Sequence, residues 1–331
     1  MKRSGMLPAE RPRKRLVRMA SSTDPNHGKA PEDRDVHELL DCGVVLLDKP
    51  SGPSSHQVTA WLRKALDIEK VGHGGTLDPK VTGALPVTIG RGTKAVQSLL
   101  TSGKEYVAVM RMHESRGAEQ IYATAEKFVG KINQTPPVRS AVKRRPRIRR
   151  VYYLDVLEIN DRDVLFRVGC QAGTYIRNLC VDMARAMGTN GHMQELRRTR
   201  TGLFNETELV TLHDALDAKH FLTEGDDSWM KSVVRPIEAV TAHLPKVVLR
   251  DSAIEAICHG APLAVIGIAQ LDEAIEENEL VAMMSLKGEL VALGRAAMTT
   301  KLMMTEANGI AVNSERIIMK KGTYPRVWKR H

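Results

Sequence analysis

A single carboxylate stands within a glycine-rich stretch at residues 72–83, Gly-His-Gly-Gly-Thr-Leu-Asp-Pro-Lys-Val-Thr-Gly. Glycine permits positive φ and close approach of a ligand, and the proline that follows Asp78 favours an extended conformation at that residue. The pattern predicts a tight loop that holds one acid away from the backbone. Such a group can act as a nucleophile or general base without a cofactor. The alternative is that Asp78 caps a helix beginning at Pro79, and the stretch alone does not decide between them.

The sequence lacks the patterns of several other chemistries. It contains no G-x-x-x-x-G-K-[ST] loop, no G-x-S-x-G elbow and no H-E-x-x-H pair, and its histidines lack metal-ligand spacing. Its four cysteines form no C-x-x-C pair and lie in apolar settings, which argues against a zinc ribbon or a disulfide framework and fits a reducing interior. We therefore expect neither a metal nor a cofactor.

The charge of the chain indicates a polyanionic partner. Its 331 residues carry a formal net charge of +10, and its 42% hydrophobic content fits a globular protein. Six of the eight residues at 143–150 are Lys or Arg, which favours contact with phosphates over the alternative of a solvated loop. The residues predicted to contact phosphates are Lys143, Arg144, Arg145 and Arg147. No apolar run is long enough to span a bilayer, and the N-terminus has no apolar signal segment.

Several predicted elements must position the stretch at 72–83. We predict strands at 44–47, 85–89, 104–112, 151–159 and 164–170, and helices capped by Ser54 or Ser55, by Thr93 and by Thr174. The apolar face of the first helix comprises Val58, Trp61, Leu62, Ala65 and Leu66. Arg177 lies in the first turn of the third helix, where the dipole disfavours a cation. This placement indicates a carboxylate or phosphate partner; the alternative is an ordinary surface arginine.

The chain divides into segments by composition. Residues 1–40 form a basic extension, which is either disordered or docked on a second domain or nucleic acid. Residues 41–244 form the larger domain, and a loop is expected within it at 222–228. Residues 245–327 contain a short helix at 252–258 and a hairpin between 281–286 and 290–293, which suggests a small barrel, and a basic tail follows at 328–331.

Five motifs in order resemble those of the TruB family of pseudouridine synthases. They are residues 43–55, 72–79, 103–106, 173–177 and 196–202, within a match that covers about residues 41–240. The segment after Leu244 is similar to a PUA domain, an RNA-binding pseudo-barrel. The resemblance implies an α+β protein, in which a mixed or antiparallel sheet forms the catalytic domain beside a small β-barrel-like domain.

The resemblance also implies roles for individual residues. Asp78 would be the catalytic acid, and Arg177 would pair with it. Tyr106 would stack on the target base and could help to remove the C5 proton. The remaining implied site residues are Lys49 and Leu196, which would support the pocket, and His73, which would help the target nucleotide to enter. For Tyr106 the alternative is a core tyrosine, and for His73 it is a structural histidine.

Residues 135–153, with Val-Lys-Arg-Arg at 142–145, resemble the dyskerin branch of the family, and the absence of long Lys-rich tails is typical of its archaeal members. This branch implies a particle of guide H/ACA RNA, target rRNA or tRNA and three small proteins, with the N-terminal arm packed on the PUA domain. It also implies no membrane partner and a cytoplasmic location, or a nucleolar one in a eukaryote. We therefore expect an enzyme that isomerises uridines in RNA. The alternatives are a stand-alone synthase of the tRNA T-loop and a non-catalytic RNA-binding scaffold.

Overall fold

A computed structural model describes residues 6–10, 12–136 and 145–326. Lys143 and Arg144 of the predicted RNA-binding run, and the predicted tail at 328–331, lie outside these residues. The strands are β1 (Arg15–Val17), β2 (Cys42–Lys49), β3 (Val71–His73), β4 (Thr82–Gly90), β5 (Lys104–Met112), β6 (Gly130–Gln134), β7 (Arg147–Asn160), β8 (Asp163–Cys170), β9 (Gly191–Thr201), β10 (Phe204–Asn205), β11 (Val234–Pro236), β12 (Lys246–Leu249), β13 (Leu263–Ala264), β14 (Ile268–Asp272), β15 (Leu280–Met284), β16 (Leu290–Ala296) and β17 (Ile310–Ile317). The α-helices are α1 (Val36–Asp41), α2 (Ser55–Ala65), α3 (Val96–Thr101), α4 (Ala118–Lys127), α5 (Ile176–Ala186), α6 (Leu212–Thr223), α7 (Ser228–Val233), α8 (Asp251–Cys258) and α9 (Thr300–Thr305).

The larger of two sheets runs in the order β11-β2-β4-β9-β5-β8-β7-β6, with β3 paired to β4 and β10 paired to β9. Its pairs are antiparallel except for β4 with β9, which are parallel where Gly83 lies opposite Arg198. Gly83 has φ +100°, and a Cβ atom there would lie 2.2 Å from the backbone oxygen of Arg198, so this pairing requires glycine. The mixed sheet with separate helices confirms the α+β prediction.

The side chains of β2 alternate between the two faces of the sheet, and both faces are buried. Val45 and Leu47 pack in one core with residues of α2 and α6. Val44 and Leu46 pack in another core that also contains Leu293 of the smaller sheet. The boundary predicted near Leu244 therefore runs through a shared core and not along an exposed linker.

The smaller sheet runs in the order β1-β14-β12-β15-β16-β17-β13. Its first strand comes from the N-terminal segment, and the Arg15 Nε donates to the Asp272 carboxylate at 2.8 Å. The Arg18 guanidinium also donates to the backbone oxygens of Met303 and Glu306, at 2.7 and 2.8 Å. Residues 15–18 of the N-terminal segment are thus ordered against the C-terminal sheet, whereas Glu10 pairs with Arg200 of the larger sheet.

Several local predictions differ from the structure. Trp61 is 49% exposed although the predicted face of α2 included it. The buried face centres on Val58, Leu62 and Leu66, and Trp61 lies about 100° around the helix from that centre. The Thr93 and Thr174 hydroxyls donate to preceding carbonyls at Gly90 and Gln171 and cap no helix.

Other elements were missed or misplaced in the sequence prediction. The mixed segment at 121–133 forms much of α4 and β6, and α6 extends to Thr223 into the loop predicted at 222–228. No helix in the described ranges has the length and apolarity needed to cross a membrane.

Candidate active site

Asp78 lies on the loop between β3 and β4, at a cleft with a volume of about 490 Å³. Its backbone oxygen accepts from the amide of Val81 at 3.0 Å, which closes a turn, and β4 follows at once. Asp78 is therefore not a helix cap, and that alternative is wrong. Its side chain is 46% exposed, so the carboxylate can reach a ligand.

The loop that follows β2 holds the Asp78 loop in place. The Lys49 side chain is fully buried, and its Nζ donates to the backbone oxygens of Pro50, Pro79 and Val81 at 2.8–2.9 Å. Burial lowers the pKa of Lys49, and the charge of Asp78 opposes this change. On the other side of Asp78, the Ser55 Oγ accepts from the amide of Leu77 at 2.8 Å. Both flanks of Asp78 are thus attached to one short segment.

Arg177 meets Asp78 from the opposite side of the cleft. It stands at the second position of α5, and its Nε lies 2.9 Å from the Asp78 Oδ2. The Asp78 carboxylate is the kind of partner that was predicted for Arg177 from its position at the start of a helix. Since the two side chains are 40% and 46% exposed, the ion pair contributes little to stability and chiefly fixes geometry.

Tyr106 and Leu196 line the cleft together with Arg198, on neighbouring strands β5 and β9. Arg198 is only 1% exposed, and its guanidinium donates to the backbone oxygens of Ala84 and Gly75 at 2.6 and 3.2 Å. Burial raises the pKa of Tyr106 and lowers that of Arg198, and each of the two groups opposes the shift of the other. The cleft therefore combines one exposed carboxylate with a neutral aromatic ring and a buried cation.

Lys104 also lines the cleft, although it is 4% exposed and its Nζ points to the end of α3. The Nζ donates to the backbone oxygens of Leu99 and Ser102 at 2.7 and 2.9 Å. Burial, and secondarily the charge of Arg198, lowers the pKa of Lys104 to about 7.

The lowered pKa of Lys104 predicts how stability depends on pH. Between pH 7 and 10.5 the unfolded chain binds more protons than the folded chain at this residue, so its contribution to the free energy of unfolding rises with pH. Lys104→Met removes this contribution and leaves that of Lys246, whose pKa is about 8, in both proteins. We expect the stability of the unmodified chain relative to the variant to increase from pH 7 to pH 10 in denaturant titrations. A difference that is constant across this range would contradict the prediction.

The remaining predicted site residues lie elsewhere. His73 lies on β3, with its ring centroid 5.0 Å from that of His56, and it is not among the described residues that line the cleft. Arg145 is exposed and Arg147 is half-buried at the start of β7. The geometry thus brings together Asp78, Arg177, Tyr106, Leu196 and the supporting Lys49, whereas the predicted role of His73 stays a prediction.

Sequence reasoning gave no role in the site to Ser55, which it named only as a possible helix cap, or to Lys104, Arg198 and Gln134. Gln134 is a residue of β6 that contacts the start of α5. The first three lie inside the five motifs, so their place in a motif was the available signal. Gln134 stands outside those motifs, and nothing local to its strand indicated a role.

Four domain families match successive parts of the chain. "DKCLD (NUC011) domain" matches residues 4–59, and "TruB family pseudouridylate synthase (N terminal domain)" matches 63–176. "tRNA pseudouridylate synthase B C-terminal domain" matches 177–242, and "PUA domain" matches 245–318. The cleft therefore spans the junction of the two synthase matches, because Tyr106 and Asp78 precede it and Arg177 follows it.

The chain is also similar to whole proteins. It is 50% identical over 323 residues to the "Probable tRNA pseudouridine synthase B" of Methanopyrus kandleri, covering 97% of this chain and 96% of the relative. It matches a chain of "Crystal Structure of a Cbf5-Nop10-Gar1 Complex" with a TM-score of 0.95 and 49% identity, over 98% of this chain and 99% of that one. It matches a chain of "Structure of H/ACA RNP bound to a substrate RNA containing 2'-deoxyuridine" with a TM-score of 0.92 and 47% identity, over 98% and 100%.

Proposed function

The chain belongs to the TruB family of pseudouridine synthases, and we propose that it isomerises specific uridines in RNA to pseudouridine as the catalytic subunit of an H/ACA guide particle. The observation that carries the proposal is the contact of Arg177 with Asp78 beside Tyr106 in one cleft. These are the residue types that the family motifs place there, and three separate parts of the chain supply them.

The reaction exchanges one bond of the target nucleoside for another. The bond between N1 and C1′ breaks, the uracil turns, and a bond between C5 and C1′ forms, while C5 loses a proton and N1 gains one. No atom is added and nothing is oxidised, so the reaction consumes no oxidant, reductant or co-substrate. Asp78 acts on the ribose or the base as the nucleophile, and Arg177 holds its carboxylate in place. Because burial raises the pKa of Tyr106, its ring stays neutral, which favours stacking on the uracil over action as a base.

The target uridine must leave its stack to reach Asp78. The carboxylate lies beside a cleft and not on an open surface, and the apolar sides of Tyr106 and Leu196 can contact a base there. Lys143, Arg144, Arg145 and Arg147 contact RNA phosphates and hold the strand, which costs no sequence selectivity since phosphates are the same at every position. Lys49 supports the catalytic loop, and His73 helps the nucleotide to enter.

The partners follow from the similar structures. One of them is a Cbf5-Nop10-Gar1 complex and another is an H/ACA particle with substrate RNA, and the present chain aligns with nearly all of the matching chain in each. We propose that this chain likewise binds a guide RNA and three small proteins, and that guide pairing selects uridines in rRNA. The N-terminal arm at 1–40, the synthase domain at 41–244 and the PUA domain at 245–327 bind these partners together. The proposed location is the cytoplasm.

The test is the dependence of modification on guide RNA. Purified chain is incubated with an rRNA fragment, with and without guide RNA and the small proteins, and pseudouridine is mapped by chemical adduct formation and primer extension. We expect modification at the guided position only when the guide and proteins are present. Modification of the rRNA fragment without a guide would contradict the guided function.

A stand-alone action on the tRNA T-loop is the second candidate, because the Methanopyrus kandleri relative carries the name "Probable tRNA pseudouridine synthase B". The same assay with tRNA and no guide decides it. Turnover in either assay excludes the scaffold alternative.

A further inference from the structure

One side of the cleft is attached to the edge of the large sheet. Residues 172–177, here called the Arg177 wall, all line the cleft. Strand β7 contacts the wall and the residue before it at several points. The Arg149 Nε donates to the Gly173 oxygen at 3.2 Å, the amide of Gln171 donates to the Arg150 oxygen at 2.8 Å, and the amide of Arg150 donates to the Gln171 Oε1 at 3.2 Å. The wall thus depends on β7 for its position at its N-terminal end.

Gln134 of β6 contacts the wall at Tyr175, closer to Arg177 than the contacts made by β7. Its Oε1 accepts from the amide of Tyr175 at 3.0 Å, and its Nε2 donates to the Tyr175 oxygen at 3.1 Å. Both polar atoms of this 3% exposed side chain therefore bind the two peptide groups that flank one residue. A two-point contact fixes orientation as well as distance, and leaving either buried group unpaired is costly.

Tyr175 is the residue from which α5 begins. It is the N-cap, and its own side chain makes no capping hydrogen bond. The amide of Tyr175 is bound by Gln134, and its oxygen accepts from the amide of Leu179 at 3.1 Å within the helix. Arg177 follows two residues later, so the direction in which its side chain leaves α5 is set where Gln134 acts.

We propose that Gln134 is a positioning residue for the reaction, which orients the start of α5 so that the Arg177 guanidinium reaches Asp78. The inference rests on the proposed function and adds a residue outside the cleft to its machinery. Asn178 supports the same junction, since its Nδ2 donates to the Thr135 oxygen at 2.7 Å. The competing explanation is that Gln134 only stabilises the edge strand of the sheet.

Gln134→Met tests the proposal because methionine keeps the length of the side chain and removes both hydrogen bonds. The single-turnover rate at saturating RNA should fall about 10- to 100-fold, as expected for misplacement of a catalytic group. The Kd for RNA should stay within about twofold, because the cations that bind phosphates are unchanged. Asn133→Ala, on the same strand with an exposed side chain, is the matched control and should alter neither quantity.

Hydrogen exchange provides a readout that needs no activity. In Gln134→Met the amides of residues 172–178 should exchange faster, while those of the Asp78 loop at 74–81 should not change. If that variant does not fold, Asn178→Ala removes the neighbouring contact from a half-buried position and should change the rate and the exchange in the same direction, by less.

The outcomes separate the inference from the function on which it rests. A rate within twofold of the unmodified chain, or unchanged exchange at 172–178, overturns the role of Gln134. A loss of unfolding stability with no loss of rate also overturns the positioning role and assigns Gln134 to the stability of the sheet. If the unmodified chain forms no pseudouridine with any RNA, the proposed function fails, and the exchange data still decide whether Gln134 positions the wall.

Discussion

Asp78→Asn is expected to abolish pseudouridine formation and to leave RNA binding nearly unchanged. In the unmodified chain the Arg177 Nε lies 2.9 Å from the Asp78 carboxylate. Asparagine has nearly the same shape and can still accept this hydrogen bond, but its amide is not a nucleophile. Removal of a nucleophile costs more than about 10⁴-fold in rate. The measurement is the single-turnover rate at saturating RNA, with the Kd for the same RNA determined in parallel.

The matched control is Asp67→Asn. Asp67 is exposed, lies outside the described lining of the cleft and has φ 54°, a conformation that asparagine adopts readily. The two variants change the net charge equally, so any general effect of charge on RNA binding appears in both. A rate for Asp78→Asn within 100-fold of the unmodified chain would exclude Asp78 as the nucleophile.

Lys49→Met should lower both stability and activity. The Nζ of Lys49 is the donor for three backbone oxygens, and methionine would leave those of Pro79 and Val81 without it. The Pro79 oxygen keeps the amide of Gly52 as a donor at 2.9 Å, so chiefly the Val81 oxygen is left unpaired. A buried unpaired group costs about 1–3 kcal/mol, so we expect a loss of about 2 kcal/mol in the free energy of unfolding. The turn that carries Asp78 would also lose its support, and misplacement of the carboxylate should lower the rate at least about 100-fold.

Denaturant titration and the single-turnover assay measure the two effects on the same preparations. Lys80→Met is the control, because it removes a lysine from the same loop where the side chain is exposed. We expect its stability to match that of the unmodified chain. A Lys49→Met protein with full activity at a temperature where it is folded would show that the loop keeps its geometry without this lysine.

Local patterns determined much of the secondary structure. The strand predicted at 104–112 coincides with β5, and the one at 164–170 lies within β8, since alternation of apolar side chains is a property of the strand itself. The helix after Ser54 was also predicted, and Val58, Leu62 and Leu66 of its predicted face are buried. Trp61 was wrongly included, because it lies beside the apolar stripe and only contact with α6 and the sheet decides which side is buried.

The basic strand β9 illustrates what the sequence left open. Its arginines have similar neighbours in sequence, yet they differ in burial and in their partners in the fold. Arg197 pairs with Asp48 and Glu206, Arg198 is buried under the cleft, and Arg200 pairs with Glu10. A buried cation requires acceptors, and the carbonyls of Gly75 and Ala84 come from a distant strand and loop.

The sequence by itself determined the chemistry of this protein: a lone acid in a shaped loop, basic segments for RNA, and an ordered set of motifs that identifies the family. That Asp78 is not a helix cap was decided only by the tertiary structure, which ends the loop in β4 and brings Arg177 to the carboxylate. The contacts that hold this arrangement join Lys49 to Val81, Ser55 to Leu77 and Gln134 to Tyr175. Each links residues far apart in the chain, and neither periodicity nor turn propensity encodes such pairs.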